Sequence, residues 1–315
     1  MIISASRRTD IPCYYSDWFL NRIKEGFVYV RNPMNLRQIS KINLNPQVVD
    51  CIVFWTKNPE PMLAMLDELR DYSYYFQFTL TGYGKDIERN LPDKKKELIP
   101  TFQRLSEKIG NKHVIWRYDP IIFADKYTPE YHLKAFRQIA EALRGYTEKC
   151  VISFVDMYTG IRKSMESIHA YEIDNQQLME FASQLAGIAK NNGMEIGSCA
   201  ESIDLENCGI SHNCCIDPHL IEEIIGCRIA AGKDKNQRAE CGCAESIDIG
   251  TYNTCKNSCL YCYANHSEAG VLKNYAGYDP VSPLLCGSVR DGDRVTERAV
   301  KSLKAEQLSL FDELM

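Results

Sequence analysis

The sequence predicts an α/β protein built as a TIM-like (β/α) barrel, full or partial, and three observations carry that expectation. Short β-branched or aromatic runs recur along the chain, amphipathic helical patterns separate them, and the residues just after the runs are polar or charged. Six or seven such units within 315 residues favour one parallel sheet with helical crossovers over separate small domains.

The first run, Ile2–Ser6, opens onto Arg7-Arg8-Thr9-Asp10. Cys51–Thr56 opens onto Lys57-Asn58-Pro59, and an amphipathic pattern follows at Pro61–Arg70. Next come Tyr74–Leu80, the helical pattern Leu98–Ile109, and His113–Tyr118, which runs into Asp119-Pro120. The Pro129–Leu143 pattern leads to Cys150–Val155, ending at Asp156-Met157-Tyr158. Asn175–Asn192 precedes Met194–Cys199, and Ile247–Asn253 is the last, least regular run. Residues 1–202 therefore form the strand–helix units, 203–245 a cysteine-rich, irregular insertion, 246–289 the closing strand and a cysteine motif, and 290–315 a tail. Asp93-Lys94-Lys95-Lys96 reads as a solvated loop and helix start.

Barrels of this kind carry their reactive groups where strands end, which selects Arg7, Asp10, Arg117, Tyr118 and Asp119 as candidate catalytic residues. Trp55 and Trp116 read as core or pocket wall. Lys+Arg 37 against Asp+Glu 42 gives a net charge of −5, so no bulk attraction to nucleic acid or an anionic membrane is expected. No apolar run of about 18 residues occurs. The first residues lack a basic segment ahead of an apolar one, and a cytoplasmic location is expected.

Fourteen cysteines in a reducing compartment point to metal or redox chemistry rather than disulfides, and eleven of them lie from Cys199 onward. The most specific motif is Cys255-Lys256-Asn257-Ser258-Cys259-Leu260-Tyr261-Cys262, a C-x3-C-x2-C spacing. A zinc reading stays open, with Cys259 and Cys262 pairing with Cys241 and Cys243.

This motif resembles that of the radical S-adenosylmethionine (radical SAM) enzymes. The resemblance implies a [4Fe–4S] cluster on Cys255, Cys259 and Cys262, with its unligated iron chelating S-adenosylmethionine. It also implies an electron donor such as flavodoxin or ferredoxin, and a SAM pocket for which Arg7, Arg8, Asp10 and Tyr261 are the candidates. In that superfamily the motif follows the first strand, whereas here it follows the last, so a circularly permuted radical SAM core is expected, with the cluster strand beside Ile2–Ser6. No counterpart of the superfamily's glycine-rich segment stands out.

The whole chain is also similar to a widespread bacterial family of unknown function. Ser6-Arg7-Arg8-Thr9-Asp10-Ile11-Pro12, Val53-Phe54-Trp55-Thr56-Lys57-Asn58-Pro59, Trp116-Arg117-Tyr118-Asp119-Pro120 and Asn253 through Asn265 carry that likeness.

Cys199, Cys215, Cys241 and Cys243 form a second candidate set, open to an auxiliary [4Fe–4S] cluster, structural zinc or unligated thiols, with Cys208, Cys214 and Cys227 as substitutes. The tail ends in Gln307-Leu308-Ser309-Leu310-Phe311, which looks like the peptide that docks bacterial repair proteins on the DNA sliding clamp, with Gln307, Leu308, Leu310 and Phe311 as anchors. Folding back on the barrel is the alternative. Spore photoproduct lyase, a radical SAM enzyme that repairs a thymine lesion, gives a chemical analogy. Two functions follow as expectations: a radical SAM enzyme acting on DNA, a nucleotide or a small anionic metabolite, or a non-catalytic iron–sulfur or zinc adaptor at the clamp.

Overall fold

The computed structural model describes residues 1–305. Its strands are β1 (Ile2–Ala5), β2 (Phe27–Arg31), β3 (Gln38–Asn43), β4 (Cys51–Thr56), β5 (Tyr74–Thr79), β6 (Val114–Ile121), β7 (Lys149–Phe154), β8 (Glu195–Cys199), β9 (Ser211–Asn213), β10 (Ile247–Asp248) and β11 (Arg294–Glu297). The helices are α1 (Ile11–Tyr14), α2 (Ser16–Glu25), α3 (Glu60–Leu63), α4 (Ile99–Ile109), α5 (Pro129–Ala142), α6 (Arg162–Glu166), α7 (Asn175–Asn191), α8 (Pro218–Ile225) and α9 (Glu268–Ala276).

Eight strands form one parallel sheet in the order β10-β1-β4-β5-β6-β7-β8-β9. From β1 to β9 each new strand of this sheet is laid beside the last without reversal, which is what repeated strand–helix crossovers of one hand produce. β10 and β9 are the edges, and no ladder joins them among the described residues. The pairings therefore define an eight-stranded parallel sheet in a mixed α/β fold. β10, the strand leading to the cysteine motif, lies beside β1 with Ile3 opposite Ile247 and Ser4 opposite Asp248.

Three features depart from the sequence expectations. β2 and β3 form an antiparallel hairpin after Gly26, which ends α2 in the left-handed conformation, and β11 adds to β3 in a separate three-stranded sheet. The segment expected as a loose tail thus supplies a strand, while Gln307, Leu308, Leu310 and Phe311 lie outside the described residues. The insertion 203–245, expected to be irregular, supplies β9 and α8. Its polar, cysteine-rich composition hides elements only three and eight residues long.

Side chains alternate across strands, and the two faces of the large sheet differ accordingly. Toward α2, α4, α5 and α7 go Phe54, Phe76, Phe78, Trp116 and Ile152, packed on Phe19, Phe102, Phe136 and Phe181. Phe54 stacks on Phe76 and Trp116 on Phe136, each pair with centroids 4.7 Å apart. On the opposite face Ile2, Val53, Tyr75, Ile115 and Val151 pack against Cys215, Ile216, Ile221, Cys241 and Cys243 of the cysteine-rich segment. Further along those strands the same face carries Trp55, Gln77, Arg117, Asp119 and Ser153.

Candidate functional site

The C-terminal ends of the strands open on a cavity of about 460 Å³. Arg7, Trp55, Arg117, Asp119 and Ser153 line it, as do Cys255, Cys259 and Cys262 and all four of Cys199, Cys215, Cys241 and Cys243. Cysteines separated by more than sixty residues thereby meet in one chamber. Arg7, Arg8, Asp10 and Tyr261 line it too.

The Cys255–Cys262 loop is held by hydrogen bonds at nearly every turn. Tyr15 Oη donates to Thr254 O at 2.6 Å and Tyr14 Oη to Asn257 Oδ1 at 2.6 Å. Asn90 Nδ2 reaches Lys256 O at 2.7 Å, Leu260 N donates to Ile87 O at 2.9 Å, and Asn265 Nδ2 closes on Cys255 O at 2.7 Å. Ser258 takes φ +51°, a left-handed turn that lets the loop reverse between its first two cysteines.

Asp10 is the hinge pin of this arrangement. Its Oδ1 accepts from Cys13 N at 3.1 Å and Thr56 Oγ1 at 2.7 Å, and its Oδ2 from Lys57 N at 2.8 Å and Asn257 Nδ2 at 3.0 Å. Four donors from α1, β4 and the cysteine loop thus converge on one buried carboxyl, capping α1 and tying β1 to the loop. Burial raises its pKa against the pull of those donors. Its oxygens are therefore engaged in bracing, a role the strand-end pattern did not anticipate.

Glu88, absent from the sequence-selected residues, holds a second buried node. It is 1% exposed, pairs with Lys57 Nζ at 2.8 Å and with Lys94, and accepts from Thr81 Oγ1 at 2.9 Å and from Tyr261 Oη. Burial opposes its ionisation, yet Lys57 and Lys94 outweigh burial and hold the carboxyl at about 2. Lys57 stays charged: burial works against it, while Glu88 and Cys259 raise its pKa. Lys94 is thus an ion-pair member, where the charge run read as solvated surface. Only the run's position beyond β5 hinted at this, because lysines in a polar run look alike until a buried acid is placed among them.

Two guanidiniums flank Trp55, Arg7 at 4.8 Å and Arg117 at 5.3 Å from the ring centroid. Arg117 has all three nitrogens engaged: it pairs with Asp119, donates to Gln77 Oε1 at 3.3 Å and donates to Cys215 Sγ at 2.7 Å. Burial opposes its charge, and Asp119 with Cys215 more than restores it. Asp119 accepts from Ser153 as well. Arg7 differs, since its buried Nη2 has no hydrogen-bond partner. Arg8 lies over Tyr252 at 5.0 Å and donates to Gly250 O at 3.4 Å.

Tyr118 does not reach the cavity. It is fully buried on the helix-facing side, and its hydroxyl meets His132 Nδ1 at 2.8 Å. His132 Nε2 lies 2.9 Å from Ile122 O, which can only accept. His132 is therefore neutral with its proton on Nε2, and Tyr118 donates. Burial takes the His132 pKa down to about 4. The alternation of β6 decides this, sending Arg117 and Asp119 to the cavity and Trp116 and Tyr118 to the core.

Among the four remaining cysteines, Cys199 Sγ lies 3.1 Å from Cys215 Sγ, and Cys215, Cys241 and Cys243 are buried in one cluster. The neighbouring Cys243 draws the Cys241 pKa down to about 7. Among the described residues no three His, Cys, Asp or Glu side chains already surround a common metal position. Nor is any described helix long and apolar enough to cross a membrane.

Residues 2–264 match the family model "Domain of unknown function (DUF1848)", and the chain belongs to that family. No curated protein matches it. Among solved structures it is similar to one from Bacteroides thetaiotaomicron described as a "putative alpha-L-fucosidase". The identity is 14% over 52% of this chain and 68% of that one, and the TM-score of 0.28 is too low to carry fold or function.

Proposed function

We propose that this member of the DUF1848 family is a radical SAM enzyme whose active site is the strand-end cavity. The observation that carries the reading is that all three thiols of the C-x3-C-x2-C loop line the cavity into which the strand ends bring Arg7 and Lys57. The donor set fits a [4Fe–4S] cluster: three thiols from one short, heavily braced loop, and no fourth protein ligand within that loop. When bound, such a cluster supplies the electron that cleaves S-adenosylmethionine to methionine and a 5′-deoxyadenosyl radical.

The chain's own residues do the positioning. Lys57, anchored by Glu88, keeps a positive charge beside Cys259 and offsets part of the negative charge of a thiolate set. Arg7 offers its unpartnered Nη2 to a carboxylate or phosphate oxygen, of S-adenosylmethionine or of the substrate, because a buried donor without a partner costs about 1–3 kcal/mol until one arrives. Asp10 and Asn257 hold the loop to α1 and β4. The pairing of β10 with β1 supports a permuted radical SAM core, since it puts the cluster-bearing loop where an N-terminal motif would otherwise emerge. A cavity of about 460 Å³ suits a metabolite or a single nucleotide unit. Flavodoxin or ferredoxin is the proposed reductant, and docking at the sliding clamp through the tail would bring the enzyme to DNA.

The test is anaerobic purification, iron and sulfide quantification, and electron paramagnetic resonance of the reduced protein with and without S-adenosylmethionine, together with an assay for 5′-deoxyadenosine. A signal altered by S-adenosylmethionine, with cleavage that Cys259→Ala abolishes, is expected. Zinc in place of iron, with no cleavage, would replace this reading with the clamp-associated adaptor.

A further inference from the structure

The geometry points to a second metal centre, in which Cys199, Cys215, Cys241 and Cys243 supply four thiolates to an iron–sulfur cluster or a single zinc ion. Three distant segments converge to make it: the end of β8, the residue pair after β9, and the 241–243 turn ahead of β10. Cys199 and Cys215 have their sulfurs 3.1 Å apart, and Cys241 and Cys243 pack in the same cluster and line the same cavity. Staggered χ1 rotamers give each of these short side chains a choice of directions in which to present its sulfur to the shared cavity.

The surroundings are built for sulfur that carries negative charge. Arg117 Nη1 donates to Cys215 Sγ at 2.7 Å, Asn213 Nδ2 to the same sulfur at 3.5 Å, and Ile216 N to Cys243 Sγ at 3.3 Å. N–H groups aimed at ligand sulfurs are the outer shell that metal–thiolate sites use. A neutral, isolated thiol has little need of a buried guanidinium. Arg7 adds a second cation near Cys243 and Cys215. The turn between the last two cysteines lies against Cys214, whose Sγ would be 2.6 Å from a Cβ on Gly242. Cys214 itself belongs outside the ligand set and serves as a control.

This site shares the cavity with the Cys255–Cys262 loop but not its ligands, so the inference does not rest on the radical SAM reading. The experiment uses the full chain, purified without oxygen, carrying Cys255→Ala, Cys259→Ala and Cys262→Ala together. Iron, sulfide and zinc are then counted. About four iron with four sulfide per chain, or about one zinc, should remain, the two results identifying the centre as a cluster or as zinc. Adding Cys215→Ser should remove all of it, whereas adding Cys214→Ala should remove none. If Cys215→Ser does not fold, Cys241→Ala, from a different segment of the proposed ligand set, replaces it, with circular dichroism as the check on folding. A folded triple variant holding neither iron nor zinc would overturn the proposal, and so would a Cys199–Cys215 disulfide found by thiol counting in protein kept reduced.

Discussion

The two cysteine sets that meet in the cavity were assembled in opposite ways. Cys255, Cys259 and Cys262 come from eight consecutive residues, and neighbours fix the loop through bonds from Tyr14, Tyr15, Asn90 and Asn265. Cys199, Cys215, Cys241 and Cys243 come from three segments and rest on the apolar face of the sheet, beneath Arg117 and beside Tyr75 and Val151. One set is a local motif braced by polar side chains. The other is a product of packing. A local set can be loosened one hydrogen bond at a time, whereas a packed set responds most to changes that move the sheet or the insertion.

The most disruptive way to separate them is Glu88→Gln. Removing one charge from a buried ion-pair network leaves Lys57 and Lys94 uncompensated, at a cost of roughly 3–5 kcal/mol at neutral pH. The wild type should also show an acid limb. A carboxyl held at about 2 when folded, against 4.5 ordinarily, contributes stability in full above about pH 4.5, and that contribution is lost as pH falls from there toward 2. Urea midpoints between pH 7 and 3 should fall for the wild type and flatten for the variant. An unchanged slope would remove Glu88 as the anchor of the loop side.

A smaller effect is expected from Asn257→Ala, which takes one donor from Asp10 and one acceptor from Tyr14, about 1–3 kcal/mol. Metal bound at the Cys255–Cys262 loop should be released faster to a chelator, while metal on the four-cysteine set should be retained at the wild-type rate. Equal acceleration at both would mean that the two sets are one mechanical unit. The smallest effect belongs to Tyr118→Phe. It loses a single buried hydrogen bond to His132, about 1 kcal/mol, and 5′-deoxyadenosine formation should be unaltered because the ring faces the helices. A drop in turnover beyond the loss in folded protein would return Tyr118 to the site.

Several elements were legible because their signals are local. The runs at Cys51–Thr56 and Tyr74–Leu80 and the patterns at Pro129–Leu143 and Asn175–Asn192 correspond to β4, β5, α5 and α7 within a residue or two, since each buries a full face against the helix-side core. The β2–β3 hairpin was not legible. Gln38–Asn43 buries only Ile39 and Ile42, three residues apart, with polar residues at the other positions, so it lacks the period of two that marks a strand, and its partner β11 comes some 250 residues later. Glu88 was silent for a different reason: nothing in Asp86-Ile87-Glu88-Arg89 distinguishes a buried carboxylate from a solvated one until Lys57 and Lys94 are brought to it.

The sequence by itself determined the strand–helix alternation, the spacing of the three motif cysteines and the charged residues that follow the strands, because each is set by neighbours within a few residues. Only the tertiary structure decided which of those residues share a chamber. The pleat of β6 separates Arg117 and Asp119 from Tyr118, the placement of β10 beside β1 carries the motif to the start of the chain, and the fold-back of the 203–245 segment delivers four cysteines to the same space. Those are matters of face, register and long-range packing, and a chain read one residue after another carries no direct record of them.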